Sequence, residues 1–186
     1  MPRFGTKRRK PETEAAEKKP LTQEERRRRT FQRAIKLLAA KSRSVSELRE
    51  LLLQGRETNK TIAEEVIARL QEYGYLDDER FAFGYASLKV RQRPVGRQRL
   101  KRELALKKVP QETVDEALDL VFGETSEAEL IDRAIEKRTR LRGRPTSRAE
   151  AKSLFDHLLR QGFPFELVAE KVKAASKADL EDDEMT

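Results

Sequence analysis

This sequence of 186 residues contains no cysteine, no tryptophan and a single histidine. Without cysteine there are no disulfide bonds, no zinc fingers and no thiol catalysis. No apolar run approaches the roughly 20 residues that a membrane-spanning helix needs, and no signal-peptide hydrophobic region follows Met1. We therefore expect a soluble, cytoplasmic protein that makes no membrane contact.

Motifs for nucleotide binding and catalysis are also missing. Neither G-x-x-x-x-G-K-[ST] nor G-x-G-x-x-G occurs, so no nucleotide cradle is indicated. His157 lies near Leu154, Leu158 and Leu159 in the sequence, and we interpret it as a helix residue beside a buried face. The acidic run Asp77, Asp78 and Glu79 is interpreted as an N-cap and first helical turn, not as a metal or acid–base cluster. The sequence predicts no enzymatic activity, no metal and no cofactor.

Charge is abundant and unevenly distributed. Hydrophobic residues make up 37% of the chain and charged residues 40%, with a net charge of +8. A hydrophobic fraction this low favours an elongated shape over a globular one with a deep core. Residues 1–30 carry 11 basic and 5 acidic side chains, whereas residues 177–186 carry one lysine and five acids. We expect a disordered basic tail at one end and an acidic tail at the other.

Helix signals recur along the chain, and no segment alternates with the two-residue period of a strand. S/T-x-x-E capping boxes begin at Thr22, Ser44, Thr61, Ser126 and Ser147. Pro110 and Pro164 are placed in first turns of helices. Glycines fall at plausible helix ends, at positions 55, 74, 123, 143 and 162.

An apolar pattern repeats three times, each time at offsets of 4, 14 and 18 residues from its first member. The three sets are Leu48, Leu52, Ile62, Val66; Leu100, Leu104, Val114, Leu118; and Leu154, Leu158, Val168, Val172. Each set describes one apolar helix face, a turn and a matching face, and a further helix precedes each pair. We therefore predict an all-α fold of three tandem three-helix repeats in an elongated, solenoid-like domain. The predicted divisions are a basic tail (1–21), repeat 1 with an N-terminal helix extension (22–77), repeat 2 (78–123), repeat 3 (124–176) and an acidic tail (177–186).

Two basic runs are the candidate binding surface. Residues 89–108 hold nine Lys or Arg against one acid, Glu103. Residues 137–148 hold six basic side chains and no acid, of which Lys137, Arg140 and Arg144 share one helical face. Such faces suit a polyanion, although a solvated helical face is the simpler reading. Eight aromatics (Tyr73, Tyr75, Phe81, Phe83, Tyr85, Phe155, Phe163 and Phe165) are predicted mostly to anchor the repeat cores.

Four segments resemble the RecX family of recombinase regulators. Residues 75–82, YLDDERFA, preceded by LQEYG at 70–74, are similar to the family's central signature. Residues 37–48, 93–100 and 158–163 are similar to parts of its first, middle and third repeats. Two turns depart from the family pattern: residues 55–60 replace a short Gly-aromatic turn, and Lys108 stands where glycine is usual.

The resemblance implies a curved arrangement of repeats that lies in the groove of a RecA filament on single-stranded DNA. There the family modulates filament assembly, ATP hydrolysis and strand exchange, commonly as an inhibitor, in recombination, DNA repair and the SOS response. The expected partners are the RecA filament and single- or double-stranded DNA, and the expected state is a monomer. On charge and position, the middle-repeat contacts are predicted to be Arg91, Arg93, Arg97, Arg99, Lys101 and Arg102. Two alternatives stay open: a DNA-binding protein that needs no recombinase, and a helical scaffold for an acidic protein.

Overall fold

The computed structural model describes residues 21–176, so the predicted basic tail at 1–21, except its last residue, and the predicted acidic tail at 177–186 lie outside the described residues. Within that range the secondary structure consists of nine α-helices. They are α1 (Gln23–Ala40), α2 (Val45–Leu53), α3 (Lys60–Glu72), α4 (Asp78–Gln92), α5 (Arg97–Leu106), α6 (Gln111–Glu124), α7 (Glu127–Arg142), α8 (Arg148–Gln161) and α9 (Phe165–Ala175). None of the helices between residues 21 and 176 is long and apolar enough to cross a membrane.

The helices pack as three consecutive groups of three. The main helix–helix contacts of the described residues fall within α1–α3, within α4–α6 and within α7–α9. All twelve residues of the repeated apolar pattern are buried. The all-α fold and its three three-helix units are therefore as predicted, because each apolar face packs against the neighbouring helix of its own unit. The exact domain limits stay a prediction.

Among residues 21–176, the buried side chains form two cores instead of three. One core lies within α1–α3 and the other is continuous through α4–α9. Val95, which follows α4, and Phe163, which follows α8, are both buried in the second core. The second and third units are therefore joined by shared hydrophobic packing, which the repeat pattern did not reveal.

Side-chain caps fix most of the helix starts. Thr22 and Ser44 form full capping boxes, and Asp77 accepts a hydrogen bond from the Arg80 amide at 3.0 Å. Ser126 and Ser147 likewise cap α7 and α8. These contacts satisfy amide groups that lack a partner within the helix.

Four of the predicted helix boundaries are wrong in detail. Asn59, not Thr61, caps α3 and accepts from the Ile62 amide at 2.9 Å, because Asn is at least as good an N-cap as Thr and lies one residue before the helix. Pro110 and Pro164 occupy the cap position, one residue before the first turn. Gly123 lies inside α6, not beyond its end.

The units are joined by a contact that occurs twice. The Val45 amide, the first of α2, donates to the Asp78 Oδ1 atom at 2.9 Å. The Arg97 amide, the first of α5, donates to the Glu127 Oε1 atom at 2.8 Å. In both cases the first residue of the first helix of one unit caps the second helix of the unit before it. Burial raises the pKa of both carboxyl groups above their usual values, although the accepted hydrogen bonds oppose this.

Lys108 has a left-handed backbone conformation, with φ of 57°. This conformation costs a non-glycine residue roughly 1–2 kcal/mol. We expect Lys108→Gly to raise the free energy of unfolding by about 1 kcal/mol, less the small contribution of the exposed ion pair between Lys108 and Glu50. Urea denaturation measures the change. Lys108→Ala is the control, since it removes the ion pair but keeps the Cβ atom, and a glycine variant no more stable than the alanine variant would contradict the explanation.

Candidate nucleic-acid interface

The nine predicted contact residues occupy the end of α4, the first part of α5, and the second half of α7 with the turn after it. Arg91 lies in the last turn of α4 and Arg93 is its C-cap. Arg97, Arg99, Lys101 and Arg102 all lie on α5. Lys137 and Arg140 lie on α7, and Arg144 follows its glycine cap. Seven of the nine are therefore held on helices whose positions the cores fix.

Three of the four predicted contacts on α5 are engaged in ion pairs within the protein. The Arg97 Nη2 atom lies 2.6 Å from Asp119 Oδ1, and the Lys101 Nζ atom lies 2.6 Å from Asp115 Oδ1. Arg99 pairs with Glu103 at 2.9 Å and also donates to Gln161 at 3.0 Å. Each of these cations therefore has a carboxylate partner within the protein. The partner's negative charge weakens the attraction of the cation for DNA phosphates.

The pKa values of the acids in these pairs respond to the same contacts. The hydrogen bond from Lys101 holds the pKa of Asp115 below its usual value. Burial alone would raise the pKa of Glu103, but hydrogen bonds from Arg99 and Tyr85, with the charge of Lys89, bring it below its usual value. Both acids are thus ionised at neutral pH and neutralise the adjacent cations.

Five of the nine are exposed and have no carboxylate within ion-pair distance among residues 21–176. They are Arg91, Arg93, Arg102, Lys137 and Arg144. Arg140 pairs with Glu136 at 3.0 Å, but their side chains are 75% and 71% exposed, so the pair contributes little and can open. Within the predicted set, the charge available to an external polyanion is therefore concentrated in these five residues, with Arg140 beside them.

A groove brings two of these residues together. It has a volume of about 360 Å³, and we call it the basic groove; its polar lining comprises Arg93, Lys137, Arg138, Arg142, His157 and Gln161. The basic run at 137–148 signalled Arg138 and Arg142, although neither was a predicted contact. His157 was not expected at a charged surface, since its leucine neighbours pointed only to a buried face.

An exposed aromatic cluster lies elsewhere, on the first unit. Tyr73 and Tyr75 are 52% and 63% exposed, with ring centroids 6.2 Å apart, and Phe31 lies 6.5 Å from Tyr73. The Arg69 guanidinium lies over both the Phe31 and Tyr73 rings. The prediction of core anchors is wrong for Tyr73, Tyr75 and Phe165, which are exposed, and Phe83, two residues from the Phe81 face of α4, is exposed too. Tyr73 caps α3 and Tyr75 follows the left-handed Gly74, so both leave the helix face that sequence periodicity describes.

Comparison with known proteins accounts for this architecture. Residues 77–118 match the family model described as RecX, second three-helix domain. The Regulatory protein RecX of Prosthecochloris aestuarii is 33% identical over 136 residues, which cover 73% of this chain and 86% of that protein. The chain belongs to the RecX family. The Regulatory protein RecX of Bacillus subtilis is 32% identical over 157 residues, and there the chain spans only 57% of the relative's length.

Solved RecX structures share the fold. The crystal structure of RecX from Lactobacillus salivarius aligns with a TM-score of 0.71 at 16% identity, covering 81% of this chain and 96% of that one. A second crystal structure, of regulatory protein RecX, aligns at 0.68 with 22% identity. The stretch that matches the RecX second domain contains α4, α5 and most of α6, and therefore six of the nine predicted contact residues.

Proposed function

We propose that this RecX-family chain is a non-enzymatic regulator that binds the RecA filament on single-stranded DNA. On this proposal it lies in the filament groove as a monomer in the cytoplasm and inhibits filament assembly, ATP hydrolysis and strand exchange. The observation that carries the proposal is the set of exposed cations without a carboxylate partner on α4, α5, α7 and the turn after α7. Three of these cations, Arg91, Arg93 and Arg102, lie within the segment that matches the family, and a DNA backbone offers the phosphates that such cations bind.

The single-stranded form of the DNA is supported by the aromatic cluster of Phe31, Tyr73 and Tyr75 with Arg69. Exposed rings and a guanidinium plane form a surface on which unpaired bases can stack. The hydrogen bond from Arg69 Nε to the Tyr73 hydroxyl, at 3.0 Å, holds this surface in place. Bases in a duplex are already stacked and cannot use it.

Removing the two exposed tyrosines should therefore weaken binding to single strands selectively. We expect the double variant Tyr73→Ala, Tyr75→Ala to bind a labelled single-stranded oligonucleotide at least tenfold more weakly, since stacking contributes about 1–3 kcal/mol per base. Its affinity for a duplex should not change. Fluorescence anisotropy measures both, and Phe83→Ala, which removes an exposed aromatic from α4, is the matched control. Equal losses on single and double strands would contradict a stacking role.

The alternative is a general DNA-binding protein that acts without a recombinase. The two functions differ in how affinity depends on RecA. A filament regulator should bind RecA-coated single strands more tightly than bare ones, because it contacts DNA and protein together. A general binder should have equal affinity for both, with a salt dependence that accounts for most of the binding. A scaffold for an acidic protein should bind neither bare nor RecA-coated DNA. Its affinity for that acidic protein should not change when DNA is removed.

A further inference from the structure

The basic groove differs from the paired cations of α5 in having no carboxylate that neutralises it. Three guanidinium groups, of Arg93, Arg138 and Arg142, and the Lys137 ammonium line it. No aspartate or glutamate lines the groove among the residues that the structure describes. The Arg138 Nη2 atom donates to the neutral Ser153 hydroxyl at 2.9 Å. Arg97, Arg99 and Lys101 in contrast each contact a carboxylate.

The positive charges in and beside the groove repel one another. Burial, with the nearby charges of Arg142 and Arg160, lowers the pKa of Arg138 below its usual value. A bound anion would offset the repulsion that Arg142 and Arg160 exert on Arg138. A cleft lined by charge of one sign also raises the local concentration of the opposite ion. The groove is therefore arranged to receive an anion from outside the chain.

The lining chemistry favours a phosphate over a carboxylate. Guanidinium groups present forked donors that match phosphate oxygens, and three such groups from two different helices can surround a tetrahedral anion. The volume of about 360 Å³ is at the lower end of ligand pockets, roughly 300–1,000 Å³, and has room for a phosphate with its attached sugar. Arg93 and Lys137 reach from the exposed basic surface into the groove, so a phosphate bound there can belong to a longer strand.

We propose that the basic groove binds a backbone phosphate of DNA and that His157 takes up a proton as the phosphate binds. This inference rests on the proposed function for its choice of DNA as the ligand. It adds a site at the junction of the second and third units, in which Arg138, Arg142 and His157 are binding residues.

His157 couples the site to pH. In the unliganded protein, burial lowers the pKa of His157, and the charges of Arg138, Arg160 and Arg142 lower it further. Those cations face it from α7 and α8, and Arg93 lines the same groove from the end of α4. A phosphate among them reverses the local field and favours the imidazolium, so binding raises the pKa. By reciprocity, a lower pH must tighten phosphate binding.

The test uses the one histidine of the chain as its own probe, because its imidazole NMR signals are unique. The midpoint of the His157 titration is measured alone and with a thymidine oligonucleotide, with inorganic phosphate and with a poly-glutamate peptide. We expect the oligonucleotide to raise the midpoint by about one pH unit, which corresponds to a tenfold tighter affinity for the protonated form. Oligonucleotide affinity should accordingly rise as the pH falls from about 8 to about 5.

Three variants give independent readouts. His157→Gln should remove this component of the pH dependence of oligonucleotide affinity, and Arg142→Gln should remove the shift in the His157 midpoint. Lys152→Gln, an exposed lysine on α8 outside the groove, should leave both unchanged. A midpoint that the oligonucleotide does not move overturns the proposal. So does a midpoint that moves only with inorganic phosphate or only with poly-glutamate, since these outcomes assign the groove to a small phosphoryl ligand or an acidic protein segment. No recombinase is present, so failure here would not affect the proposed regulation of RecA, and failure of that regulation would not affect this result.

Discussion

Gly96→Ala is expected to lower the free energy of unfolding by about 3 kcal/mol, near the upper end of the range for overpacked sites. A Cβ atom at Gly96 would lie 2.3 Å from both the carbonyl carbon and the oxygen of Gly162. Those atoms belong to the backbone and cannot move aside as a flexible side chain can. The same contact contains the hydrogen bonds from the Gly96 amide to Gln161 O at 2.9 Å and from the Gln98 amide to Gly162 O at 3.1 Å.

The backbone conformation at Gly96 is not the reason for this expectation. Its φ of −85° and ψ of 161° are open to any residue, so the cost of alanine is steric. Gly84→Ala is the control, because Gly84 lies inside α4 with nothing within 4 Å of its added Cβ atom. That change should stabilise the protein by up to about 1 kcal/mol through helix propensity. Chemical denaturation measures both, and a Gly96→Ala variant that unfolds at the wild-type denaturant concentration would refute the close contact.

Neutralising the exposed cations should reduce the salt dependence of DNA binding more than neutralising the paired ones. We define the exposed triple as Arg91, Arg93 and Arg102, and the paired triple as Arg97, Arg99 and Lys101, each changed to glutamine. The exposed triple should lower the log–log salt slope on single-stranded DNA by about 2, since each phosphate contact contributes about 0.7. The paired triple should leave the slope nearly unchanged, because its cations already neutralise carboxylates in the protein.

The two triples are matched in number, in charge removed and in their place along the chain. Each is measured by oligonucleotide anisotropy over a series of salt concentrations, after far-UV circular dichroism has established that the helices are retained. Equal slopes for the two triples would mean that the ion pairs open on binding and that the distinction between the two sets has no functional meaning. A larger loss from the paired triple would reverse the assignment of the binding surface.

The fold could be predicted because its determinants are local. The repeated offsets of 4, 14 and 18 residues identified twelve side chains that are all buried, since helix periodicity fixes which residues share a face. Asp77 as a cap followed from its place before an apolar helix face, and it is confirmed by the bond to the Arg80 amide. Lys108, at a family glycine position, proved to have the positive φ that glycine accommodates.

Which cations of the candidate site are paired within the protein could not be predicted in the same way. Whether Arg97 is available depends on Asp119, which lies on the next helix and pairs with it only in one relative rotation of the two helices. The approach of Gly96 to Gly162 joins residues far apart in the chain, and no periodic signal marks it. His157 is set among arginines by the packing of α7 on α8. The charged residues can be read from the sequence, whereas which of them form ion pairs depends on how the helices pack against one another.

We propose that this RecX-family chain acts on a recombinase filament, and the DNA-dependent ATPase of RecA on single-stranded DNA measures that action most directly. The purified chain is titrated into preformed filaments, with the exposed triple and the paired triple as parallel samples. We predict that the wild-type chain lowers the ATPase rate at substoichiometric ratios, that the paired triple acts similarly and that the exposed triple requires a higher concentration. An ATPase rate that stays constant at every ratio of chain to recombinase would contradict the claim.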